Sequence, residues 1–70
     1  MRNYPIYYTM QVEIFEPYKQ KWIKRTENVG MCLSKDEAVD KAFNILANLS
    51  GEQWRNFAVF NERNKKVYSV

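Results

Sequence analysis

Residues 4–16, YPIYYTMQVEIFE, alternate along the chain: Ile6, Tyr8, Met10, Val12 and Ile14 share one side, while Tyr7, Thr9, Gln11, Glu13 and Phe15 share the other. A period of two in β-branched and aromatic residues predicts a half-buried strand with its even side turned to the core. Pro17 lacks an N–H for the ladder, so the strand is expected to stop there and turn through Glu16–Gln20. Residues 21–33, KWIKRTENVGMCL, predict a second strand in which Ile23, Val29, Met31 and Leu33 form the inward set. Asn28 and Gly30 signal a bulge or bend at which that parity can shift.

The period then changes. From Ser34 to Gly51, Ala38, Val39, Ala42, Phe43, Ile45, Leu46 and Leu49 fall within an arc of roughly 160° at about 100° per residue. Asp36, Glu37, Asp40, Lys41, Asn44 and Asn48 fill the opposite arc. Ser34 is placed to cap the first free N–H groups and Glu37, three residues on, to reach back as a capping box. Gly51 suits the left-handed residue that closes a helix.

Beyond the helix, residues 53–62 predict a third strand and residues 66–70 a fourth, joined by a tight turn through Glu62, Arg63, Asn64 and Lys65 in which Asn64 takes a positive φ. Phe57 and Val59 are expected inward, followed by Val67 or Tyr68. The order is ββαββ, an α+β fold class. The helix returns the chain so that strand three runs parallel to strand two and antiparallel to strand one. A wholly antiparallel four-stranded sheet then favours the spatial order 2-1-3-4, with 1-2-4-3 as the other solution. One helix covers one face, and the second face is left open.

Length and composition narrow the function. Seventy residues suit one domain, residues 1–70, near the lower limit for unaided folding. A 46% hydrophobic content with few Gly and Pro argues for a packed core rather than disorder. The start at Met1, without an apolar leader or spanning segment, leads us to expect a small complete cytoplasmic protein. A lone Cys32 suits a reducing compartment and is expected to be a small buried hydrophobe rather than a nucleophile. His is absent, which removes His-based acid–base catalysis, Ser-His and Cys-His pairs and most zinc sites. No Gly-rich phosphate loop exists, and Asp36, Glu37 and Asp40 are read as helix-start carboxylates rather than metal ligands. No cofactor, metal or catalytic residue is expected.

The remaining chemistry lies on the open face. Tyr7, Phe15, Trp22 and Phe60 are expected to point away from the helix, with Lys24 among them. Large aromatics on an uncovered sheet are either a minor second core, packed on each other and on the stems of Lys24 and Arg25, or a contact surface for a protein partner or a second copy. The charge is uneven: residues 34–50 carry two basic and three acidic residues, the rest nine basic and five acidic. Basic residues gather around the first turn (Lys19, Lys21, Lys24, Arg25) and the second (Arg63, Lys65, Lys66). With the sheet aromatics they make nucleic-acid binding the alternative. The topology puts those turns at opposite ends of the sheet, however, and the Gly/aromatic signature of RNA-recognition motifs is missing.

The leading expectation is a non-catalytic interaction module with no membrane partner. In size and layout the chain is similar to small inhibitor or adaptor proteins of phages and mobile elements, some anti-CRISPR proteins among them. That similarity implies action by protein–protein contact, through the open face or by strand addition at the short fourth strand.

Overall fold

A computed structural model describes residues 4–49 and 53–70. The chain runs β1 (Ile6–Glu16), β2 (Lys21–Cys32), α1 (Lys35–Leu49), β3 (Trp54–Phe60) and β4 (Lys66–Ser69). All strand pairs are antiparallel, in the order β2-β1-β3-β4. The ββαββ reading and the favoured strand order are therefore both observed.

The even side of β1 puts Tyr8, Met10 and Val12 into the core, where they meet Phe57 and Val59 of β3 and the helix seam Ala38, Ala42 and Leu46. That seam has the i, i+4, i+8 spacing of one helix face. Its two alanines let the helix lie close to the sheet, with Val39, Ile45 and Leu49 packing along its flanks. Phe57, wholly buried, touches Phe43, Trp54 and Tyr68 ring to ring at 4.8, 6.0 and 6.3 Å. Burying one such ring is worth about 1.5–3 kcal/mol, which makes Phe57 the anchor of this half of the core.

The helix starts as its sequence demands, with one shift. Ser34 Oγ accepts from the Glu37 N–H at 3.1 Å, while the Glu37 carboxylate accepts from the N–H of Leu33 at 3.0 Å, one residue before the cap. Two backbone donors are still satisfied, and the cap is worth about 1 kcal/mol. The expected stop at Gly51 lies outside the described residues.

Three irregularities set which residues face where. Val29 and Gly30 together stand against Tyr8, with Gly30 at φ +104°. This bulge resets the parity of β2: Val29 and Cys32 go inward, whereas Met31 and Leu33, expected inside, are exposed. A second bulge falls at Asn56, φ 56°, between the pairs Gln11–Ala58 and Glu13–Arg55. A third, at Val67, lets both Val67 and Tyr68 pack against the core. The β3–β4 turn closes on Asn61, whose side-chain oxygen accepts from the N–H groups of Arg63 and Lys65, and Asn64 takes the expected positive φ of 64°. Among the described residues no helix is long and apolar enough to cross a membrane.

Candidate functional site

The helix and the apolar cluster occupy one side of the sheet, and no described element packs on the other. Strand register assigns that open face. Trp22, Lys24 and Thr26 of β2 stand beside Phe15, Glu13 and Gln11 of β1. Arg55, Ala58 and Phe60 of β3 stand beside Glu13, Gln11 and Thr9. On β4, Ser69 and Lys66 stand beside Ala58 and Phe60.

At one end the face packs on itself. Phe15 and Trp22 meet edge-to-face with centroids 5.4 Å apart, and the Arg55 guanidinium lies 4.2 Å from the Trp22 centroid. Arg55 Nε donates to Glu13 Oε1 at 2.7 Å. That bond, with a second from the Asn56 side chain, holds the Glu13 carboxyl below its ordinary range. The minor-core reading of Trp22 and Phe15 fits this end. The cation that covers the indole is Arg55, however, not Lys24 or Arg25. Arg25 stands opposite Val12, on the helix side, and pairs with Glu27 at 3.1 Å.

The four open-face aromatics do not form one patch. Tyr7 lies eight residues from Phe15 on the same strand, about 26 Å away. Phe60 belongs to the Tyr7 end, beside Thr9. Between the two ends runs a polar belt with a shallow hollow of about 350 Å³. Residues of all four strands line it, among them Gln11 and Glu13, Lys24, Asn56, and Lys66 with Ser69. Lys24 and Lys66 enter it from the two edge strands, and neither has an ion pair among the described residues.

The basic clusters divide as the topology requires. Lys19 sits in the β1–β2 turn and Lys21 at the start of β2, at one end of the sheet. Arg63 and Lys65 sit in the β3–β4 turn at the other, beside Ile6. Only Lys24 and Lys66 of that set share the hollow. Sequence reasoning missed Arg55, Glu13 and Asn56. Parity counted back from Phe57 points Arg55 at the core, and the Asn56 bulge turns it to the open face.

Cys32 is buried, and burial pushes its thiol pKa up, which suits a packing role. No described group of three His, Cys, Asp or Glu side chains is arranged to hold a metal. No protein family, curated protein or solved structure matches the chain.

Proposed function

We propose that the chain is a non-catalytic binding module, of inhibitor or adaptor type, that seats a protein partner on the open face of its sheet. The observation that supports this most is the hollow at the centre of that face, to which all four strands contribute side chains. Beside the hollow, Arg55 is held by Glu13 and Trp22, so that side chain has little freedom left to lose on binding. The polar belt between two aromatic ends matches a partner that hydrogen-bonds at the centre and packs at the margins.

A second copy of the chain fits the face less well. In a two-fold contact the patch meets itself, and this one carries Lys24, Arg55 and Lys66 against Glu13 alone. Like charges would face one another across the interface.

The test blocks the face without altering its charge. Thr26→Trp places a bulky neutral ring on the open face beside Gln11, at the β2 edge of the hollow, and Asn44→Trp makes the same change on the exposed side of the helix. Quantitative capture from a lysate of the encoding organism should recover a partner with the wild-type chain and Asn44→Trp, and lose it with Thr26→Trp. Loss with Asn44→Trp and retention with Thr26→Trp would move the interface to the helix and end the proposal.

A further inference from the structure

From the hollow we infer the chemistry of what fills it: an extended acidic peptide segment of the partner, laid obliquely across the strands so that its carboxylates meet Lys24 and Lys66. This rests on the open-face reading above and adds the partner's charge and shape.

The argument starts from the two lysines. They stand on opposite edge strands, three inter-strand spacings apart, with Lys24 in the Glu13 row and Lys66 in the Thr9 row. Their Cα atoms are therefore about 19 Å apart, a span covered by about six residues of extended chain. Both side chains nevertheless line the same hollow. Ammonium groups on long stems, aimed at one polar depression and unpaired among the described residues, suit carboxylates arriving from outside. The one side-chain carboxylate in the lining, Glu13, is already hydrogen-bonded by Arg55. Gln11, Asn56 and Ser69 supply donors and acceptors for a peptide backbone between the two ends.

Nucleic acid uses the same cations but needs open ring faces for its bases. The Trp22 ring carries the Arg55 guanidinium and the edge contact of Phe15. Of the remaining face aromatics, Tyr7 lies at the other end of the sheet, and Phe60 stands alone at the rim of the hollow, beside Lys66, so no second ring is at hand to stack a neighbouring base. The basic turns that would extend a phosphate track sit at opposite ends, beyond the hollow. Charge complementarity therefore favours a peptide.

The probe is the blocked octapeptide of alternating Glu and Thr, titrated into isotopically labelled protein and followed by amide chemical shifts. An eight-nucleotide oligothymidine and the matching Lys/Thr peptide are run alongside. The acidic peptide should shift Gln11, Lys24, Asn56, Lys66 and Ser69 and leave both turns unmoved. Lys24→Glu with Lys66→Glu should weaken it about tenfold or more, a decade being what one charge-assisted hydrogen bond is worth. Lys19→Glu with Lys35→Glu, the same charge change off the face, should leave affinity within about twofold. If the face double variant loses its native amide spectrum, Lys24→Gln with Lys66→Gln replaces it.

Equal weakening by both charge pairs, shifts centred on the turns, or no binding at millimolar peptide would overturn the inference. Tighter seating of the oligothymidine on the same residues would overturn it in favour of nucleic acid. These outcomes are separate from the neutral Thr26→Trp block. If that block removes a partner while the acidic peptide fails, the open face stands and the acidic segment falls.

Discussion

The Arg55 guanidinium lies 4.2 Å from the centroid of the Trp22 ring, although the two residues belong to strands that do not pair. Arg55 is on β3 and Trp22 on the edge strand β2, with β1 between them. The side chain reaches over β1 and is held midway by Glu13 at 2.7 Å. It therefore ties three strands together on the face that the helix does not cover. A cation over an indole at a half-exposed site is worth about 0.5–1 kcal/mol. A double-mutant cycle of Trp22→Leu and Arg55→Met, read by denaturant unfolding, should return a coupling of about that size. A coupling near zero would reduce the stacking to a geometric coincidence.

Glu13 offers a second reading of the same bridge. Its carboxyl is held below the ordinary carboxylate value first by the hydrogen bond from Arg55, then by that from Asn56. In the unfolded chain it binds its proton near the ordinary value of about 4.3. Between the folded and the unfolded values the unfolded state holds more protons, so this contribution to stability is present above the unfolded value. It fades as the pH falls through the folded one. The carboxylate is exposed, so the effect on stability is small and the clear readout is the titration itself. Side-chain carboxyl shifts should place the Glu13 titration below the ordinary glutamate value. Arg55→Met should bring it back towards that value. An unchanged titration in that variant would mean that Arg55 does not hold Glu13 in solution.

The fold was legible because each element carries its own period. The alternation of residues 4–16, the helical arc of residues 34–50 and the Ser34/Glu37 cap all have local causes, and a wholly antiparallel sheet leaves few strand orders. Site geometry has no such local cause. A bulge changes the facing of every residue beyond it, and only a pairing partner shows where the extra residue sits. At Gly30 the glycine marks a place where the parity of β2 can shift, but not that it does, and Met31 and Leu33 face outward rather than into the core. Asn56 carried no comparable signal: Asn is common on surfaces, and its αL conformation appears only once β3 is laid against β1. Arg55, which organises one end of the open face, was missed for that reason alone.

The bulges themselves are testable. Asn56 and Gly30 both take positive φ, at 56° and 104°. Asn tolerates the left-handed region and Gly is at home there, whereas a β-branched residue is a strong outlier. Asn56→Gly should therefore leave stability nearly unchanged, and Asn56→Val should cost about 1–2 kcal/mol. Asn56→Val should also displace Arg55 from Trp22, visible as a shift of the Trp22 indole N–H resonance. At Gly30 an added Cβ would meet nothing within 4 Å. The cost of Gly30→Ala is then backbone strain, about 1–2 kcal/mol, and Gly30→Ser should cost about the same. A much larger loss for serine than for alanine would point to a clash instead.

Phe57 and Phe60 test whether the two sides of the sheet differ in what they do. They lie on one strand, three residues apart, yet Phe57 is wholly buried under the helix and Phe60 is only partly buried on the open face. Phe57→Ala leaves a cavity among Phe43, Trp54 and Tyr68, and such a truncation costs about 3–5 kcal/mol. In a domain of this size that is most or all of the stability, so the variant should be largely unfolded at 25 °C by circular dichroism. Phe60→Ala leaves no enclosed cavity and should cost under half as much, with the native amide spectrum retained. If the two truncations prove equally damaging, the open face is a second core and not a free surface. The binding proposal would then lose its physical basis. If Phe60→Ala folds and binds less partner, the ring contributes to recognition at the margin of the hollow.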